Sequence, residues 1–219
     1  MVDIIIPGDA GKIHAVYHKA QEEGAPLAVV FSGNPKTGHH MNDRVSYAMF
    51  RAFMDIGFSV LRFDYRGVGE SEGTLGTTQD NMMDIASVID WIQNQNEYSE
   101  RIWLSGNGLG AWYNMQAMMR RPEVSGFVIV SPDTSIIDYS FLSPRPNRGL
   151  LIQGGAESED ARMFGGHLTQ IFKKQAQIAL ETILIKNADE KYSTPDALKQ
   201  MYNDIKAYVG RENEEFRLL

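Results

Sequence analysis

The sequence predicts an α/β fold built on a doubly wound, mostly parallel sheet, and three observations carry that expectation. Strand-like and helix-like segments alternate from residue 27 to residue 209, and a hairpin-like opening precedes them. Hydrophobic and charged residues make up 43% and 22% of the chain, the balance of a globular protein with a sizeable core. The 219 residues show no linker, repeat or shift in composition, so a single domain over residues 1–219 is expected.

The opening reads as strands over residues 2–6, 12–19 and 27–32, with Pro7-Gly8-Asp9 and Glu23-Gly24 as turns between them. The period then changes. Residues 43–56 repeat Val45, Met49, Ala52, Phe53 and Ile56 at helical spacing, and 58–63 follow as a buried strand. A helix over 77–93 puts Met82, Ile85, Ala86, Ile89 and Ile92 on one face. Next come a strand over 101–105, a helix over 109–120, and strands over 127–131 and 150–153. A helix over 160–175 and a strand over 178–185 precede the last helix. That helix starts at Thr194-Pro195 and holds the 3.6 period through Leu198, Met201, Tyr202, Ile205, Tyr208 and Val209. Parallel strands joined by helices have both sheet faces covered and bind ligands at their carboxyl ends. The irregular stretch 132–149 is expected to form at most a small flap over that edge.

Composition removes several function classes. The 21 Lys+Arg against 28 Asp+Glu give a net charge of −7 without any basic block, which argues against nucleic acid or an anionic membrane as partner. The absence of cysteine excludes disulfides, zinc-thiolate and iron–sulfur sites and a thiol nucleophile. The N-terminus lacks a signal-peptide pattern and no apolar run approaches a membrane span, so a soluble, cytoplasmic protein is expected. Met82, Met83, Met115, Met118 and Met119 read as core filler, and His167 as a surface residue of its helix. Residues 211–215 read as a solvated helix end, and Phe216-Arg217-Leu218-Leu219 as a segment that docks on a partner or frays.

Two glycine-rich turns stand where the chemistry belongs. Arg66-Gly67-Val68-Gly69-Glu70-Ser71-Glu72-Gly73 misses the G-x-G-x-x-G spacing at Glu72 and reads as a loop. Gly106-Asn107-Gly108-Leu109-Gly110 joins a strand to a helix as a nucleophile elbow, G-x-S-x-G, does, but with glycine in the middle. The same residues with Ala111 fit a dinucleotide fingerprint, G-x-G-x-x-A, with Asp133 placed as a ribose-binding acid. Both readings put free N–H groups at the start of the helix at Leu109, where an anion or carbonyl oxygen binds.

Phe63-Asp64-Tyr65-Arg66-Gly67-Val68-Gly69-Glu70-Ser71-Glu72-Gly73, the turn 106–110 and Asp138-Tyr139-Ser140-Phe141-Leu142-Ser143-Pro144 together resemble the α/β-hydrolase superfamily. The likeness is to small bacterial esterase-like and dienelactone-hydrolase-like members and runs from about residue 6 to residue 209. It implies an N-terminal antiparallel hairpin, little or no cap, and a Ser-His-Asp triad. Followed residue by residue, the serine position holds Gly108 and the acid turn Gly154-Gly155-Ala156-Glu157 offers Glu157. The histidine position, in Asn187-Ala188-Asp189-Glu190, holds Glu190. Acyl transfer by this geometry needs a nucleophilic oxygen and a base titrating near the working pH, and glycine supplies no atom to attack with. A side chain at an elbow tip costs about 1–3 kcal/mol of backbone strain, which glycine avoids.

The resemblance thus implies an α/β-hydrolase-fold protein that has lost hydrolysis. It is expected to keep a pocket around Asn34, Gly108, Leu109 and Glu190, bordered by His39, His40 and Asp133, for a small molecule or a protein partner. No cofactor and no metal are expected, and a homo-oligomer is possible. A serine-independent hydrolase and a dinucleotide-binding protein are the alternatives.

Overall fold

The strands β1 (Val2–Gly8) and β2 (Gly11–His18) form the expected antiparallel hairpin in the computed structural model, which describes residues 1–136 and 138–217. β2 then pairs antiparallel with β4 (Ser59–Phe63), and β4 pairs parallel with β3 (Leu27–Phe31). The remaining strands, β5 (Ile102–Gly108), β6 (Val124–Pro132), β7 (Arg148–Gly154) and β8 (Ala179–Ile185), are parallel. The sheet order is β1-β2-β4-β3-β5-β6-β7-β8. Strand β5, whose end carries the glycine turn, is thus central, where paired neighbours on both sides hold its carboxyl end.

Helices α1 (Arg44–Met54) and α5 (Pro195–Arg217) cover one face. Their Met49, Phe53, Ile205 and Tyr208 are buried with Val60, Val128 and Val130, the residues of alternate strand positions. Helices α2 (Thr78–Asn94), α3 (Leu109–Arg120) and α4 (Glu159–Gln170) cover the other face, where Ile85, Ile89, Met115 and Leu168 meet Val29, Leu104 and Ile129. Each such side chain fully buried is worth about 1.5–3 kcal/mol against exposure. α2 starts where the sequence places it because Thr77 and Asp80 form a reciprocal capping box.

Five details depart from the sequence reading. Strand β5 runs on to Gly108, because Gly106 and Asn107 still pair with Ile129 and Val130 of β6. The helix expected over 160–175 is α-helical only to Gln170 and widens to a π-helical turn at Ile171–Gln175. Residues 138–147 pack on the core and do not form a separate flap: Tyr139 and Leu142 are buried there, and the Asp138 carbonyl accepts the Trp112 indole N–H at 3.0 Å. The end of α5 is not simply solvated, since Glu212 is buried and meets Arg148 at 2.7 Å. Met83 is exposed, unlike the buried Met115 and Met118. The side chains of Phe216-Arg217-Leu218-Leu219 lie outside the described residues. Among the described residues no helix is long and apolar enough to cross a membrane.

Candidate functional site

The turn between β5 and α3 has the backbone of a nucleophile elbow. Gly108 sits at φ 53°, ψ −121°, a conformation that residues with a side chain rarely adopt. The two flanking glycines are required by contact. A Cβ on Gly106 would lie 2.3 Å from the Gly110 carbonyl oxygen, and one on Gly110 would lie 2.5 Å from the carbonyl oxygens of Phe31 and Ser32. At Gly108 itself the space is open, with only the Gly33 Cα at 3.8 Å from a Cβ position. The turn is thus shaped to present a side chain upward and presents none.

A cavity of about 400 Å³ opens above this turn at the carboxyl edge of the sheet. It brings together Asn34, His39, Gly108, Leu109, Asp133, Glu157 and Glu190, which come from five separate stretches of the chain. A second cavity of about 350 Å³ also involves His39, Asn107, Glu190 and Lys191, and adds Asp43 and Arg44. His40 departs from the expected set. It lines a different cavity, with His14, Asp64 and the Gly67-Val68-Gly69 loop.

The carboxylate expected at the acid position is fully engaged. Glu157 is buried, and its Oε1 accepts the Ser131 hydroxyl at 2.5 Å and the Gly154 N–H at 2.7 Å. Its Oε2 accepts the Gln153 amide at 3.3 Å. Ser131 takes φ 41° to make its contact and lies 3.3 Å from the Tyr192 hydroxyl. Burial pushes the Tyr192 phenol well above its ordinary pKa, so it stays neutral. Neither Ser131 nor Tyr192 was singled out in the sequence, where nothing marks a serine that will leave a strand with positive φ.

Glu190, expected at the histidine position, is exposed and has no hydrogen-bond or ionic partner among the described residues. Its loop is tied down by Asp189, which accepts the backbone N–H groups of Lys191 and Ser193 at 3.2 and 2.9 Å. Hydrogen bonding from Ser193 holds the Asp189 carboxyl below its ordinary pKa. Asn34 acts locally: its side chain caps the 3-10 turn Pro35–Thr37, and its carbonyl oxygen accepts from Thr37 and His39.

His39 is better organised than its place in a loop suggests. Its Nδ1 lies 2.5 Å from Asp43 Oδ2, four residues on and just before α1. Among the described residues no three His, Asp or Glu side chains are grouped to hold a metal ion. Asp133 turns its carboxylate to Ser135, accepting that residue's N–H at 2.9 Å and hydroxyl at 2.6 Å. The dinucleotide reading fails on topology: a Rossmann fingerprint opens its sheet, whereas β5 follows an antiparallel hairpin and two further strands in an eight-stranded sheet.

Comparison with known proteins agrees with this geometry. The family described as serine aminopeptidase, S33 (Hydrolase_4) matches residues 37–157. The uncharacterized protein RP471 of Rickettsia prowazekii is 33% identical over 208 residues, covering 91% of this chain and 86% of that protein. The mitochondrial palmitoyl-protein thioesterase ABHD10 of Rattus norvegicus is 33% identical over 86 residues, 38% of this chain and 27% of that protein. Among solved structures, ATU1826 of Agrobacterium tumefaciens, a protein of unknown function, superposes with TM-score 0.91 at 30% identity, covering 98% of this chain and 97% of that one. XC6422 of Xanthomonas campestris, described as an α/β serine hydrolase without a lid, superposes with TM-score 0.81 at 22% identity, covering 96% and 94%.

Proposed function

This chain belongs to the serine aminopeptidase S33 family of α/β hydrolases, and on that premise we propose that it has given up serine-based acyl transfer and uses the elbow pocket to bind a small molecule. One observation carries the reading: Gly108 holds the elbow conformation of φ 53°, ψ −121° with nothing at its tip. A covalent acyl intermediate at this position needs an oxygen or sulfur that glycine lacks. The expected histidine position adds to this, because Glu190 brings a carboxylate there in place of the imidazole that acyl transfer of this kind uses as its base.

A small molecule is favoured over a protein partner by the concave shape and the cavity of about 400 Å³, which is in the usual range for small-ligand sites. The ligand class we assign presents a carbonyl or carboxyl oxygen. The first N–H groups of α3, starting at Leu109, have no partner within the helix and favour such an oxygen. The partial match to a palmitoyl-protein thioesterase is in keeping with an ester or thioester carbonyl.

The test is a search for a covalent intermediate. The chain is mixed with an activated short ester and, separately, with a fluorophosphonate, and its intact mass is followed by rapid quench. No burst and no adduct on a serine are expected; a stoichiometric burst with an acyl-serine would falsify the reading.

A further inference from the structure

We propose that His39, oriented by Asp43, is a general base of the elbow pocket and activates water against the carbonyl carbon of an ester-type ligand seated over Gly108. The proposal rests on the carbonyl-ligand reading of the pocket and adds a reaction to it.

The pair has the geometry of a base with its orienter. Asp43 Oδ2 lies 2.5 Å from His39 Nδ1, a contact that in the neutral imidazole selects the tautomer with the proton on Nδ1, donated to the carboxylate, and the lone pair on Nε2. Nε2 has no protein partner among the described residues. Asp43 is itself held in place. It receives the His40 N–H at Oδ2 and has His40 Nε2 against Oδ1, both at 3.3 Å, while its backbone starts α1 by accepting the Tyr47 N–H at 2.8 Å.

Placement points the same way. His39 belongs to both cavities that meet at the turn. Its ring lies against Gly33, where a Cβ would come within 2.9 Å of the imidazole Cγ. Gly33 in turn approaches the Gly108 Cβ position at 3.8 Å, so a single glycine separates the imidazole from the empty elbow tip. Asn107, buried and lining both cavities, uses Oδ1 for the Ser46 hydroxyl at 3.1 Å and keeps its Nδ2 donor unpaired among the described residues.

The step balances without a protein nucleophile. The water oxygen forms a bond to the carbonyl carbon while its proton passes to His39 Nε2. The carbonyl oxygen gains negative charge at the N-terminus of α3. As the tetrahedral species collapses, the bond to the leaving oxygen breaks and His39 returns the proton to it, giving an acid and an alcohol. Asp43 is a positioning residue in this scheme, holding the tautomer and stabilising the imidazolium.

The experiment measures p-nitrophenyl acetate hydrolysis by the full chain and by His39→Gln, Asp43→Asn and, as a histidine control, His167→Gln on α4. Turnover above buffer is expected, slowed in D2O and reduced about 10²-fold by His39→Gln, the usual scale for a general base, with no change in His167→Gln. Asp43→Asn is expected to lower kcat with little effect on KM and to shift the His39 tautomer in imidazole 15N NMR. Turnover equal to buffer, a His39→Gln rate equal to that of the unaltered chain, or an acetyl adduct accumulating on His39 overturns the proposal. A second reading uses Gly108→Ser as a reporter of base strength at the tip. Fluorophosphonate labelling at position 108 is expected, and adding His39→Gln slows it at least tenfold; a folded Gly108→Ser that stays unlabelled, or labelling indifferent to His39, overturns it. If Gly108→Ser does not fold, the ester assay alone decides. Loss of His39 dependence sinks this proposal only, whereas an acyl-serine in the unaltered chain sinks the function it rests on.

Discussion

Ser131 donates its hydroxyl to Glu157 Oε1 at 2.5 Å, so the carboxylate at the acid position is satisfied from strand β6 without any imidazole. The carboxylate thereby forms an internal strut between β6 and the turn after β7.

Glu157→Ala would leave the Ser131 hydroxyl and the Gly154 N–H without their acceptor in a buried setting. Each orphaned donor costs about 1–3 kcal/mol, so a loss of at least ~1 kcal/mol is expected in urea unfolding, with a smaller loss for Ser131→Ala. A Glu157→Ala chain as stable as the parent would show that the strut carries nothing.

Substituting the elbow glycines separates strain from collision. Gly108→Ala has room for its Cβ but keeps φ 53°, and should cost about 1–3 kcal/mol. Gly110→Ala drives a Cβ to 2.5 Å from two carbonyl oxygens of fixed backbone and should cost more. For a chain of this size each kcal/mol lowers Tm by roughly 2–4 °C, so thermal melts of the two variants rank the effects. Equal melting temperatures would contradict the assigned elbow geometry.

The loop over 66–73 is anchored by a buried ion pair. Arg66 donates from Nε and Nη2 to the two oxygens of Asp84 at 2.9 and 2.7 Å, and this bonding raises the Arg66 pKa above its already high ordinary value. Arg66→Met strands the buried Asp84 carboxylate. A loss of about 3–5 kcal/mol is expected by denaturant titration, and Asp84→Asn added to Arg66→Met should recover part of it.

Acid should loosen the Glu190 loop before the core. The Asp189 pKa is depressed in the folded state, foremost by the Ser193 hydrogen bond. Its contribution is therefore present above the ordinary aspartate range and is lost as pH falls through the depressed value. Protection factors of the amides at residues 190–193, observed hydrogen exchange referred to the intrinsic rate at each pH, should fall across that acid window in the parent chain and already be low in Asp189→Asn at neutral pH.

Much of the architecture was legible in the residues, because periodicity reports directly which side of an element is buried. The spacing of Val45, Met49, Ala52 and Phe53 marked α1, and the strand-turn-helix around Gly108 marked the elbow that the structure contains. Gly108, Glu157 and Glu190 line one cavity. Element ends were less legible. Strand β5 outran its apolar stretch because Gly106 and Asn107 are held by pairing with β6, a partner that local sequence does not reveal.

What the sequence by itself determined was the class of sheet, the order of its helices and the absence of a nucleophile at the elbow, since these depend on spacing and residue type. What only the tertiary structure decided was who meets whom across the pocket. Asp43 and His39 are four residues apart, yet their pairing depends on the chain turning into α1 between them. Ser131 reaches Glu157 through a positive φ that a serine does not advertise, and His40, which shares Asp43 with His39, lines the cavity beside His14 and Asp64 and not the one above Gly108. These contacts depend on the packing of separate elements at one sheet edge, and long-range packing leaves no periodic trace in the residues that make it.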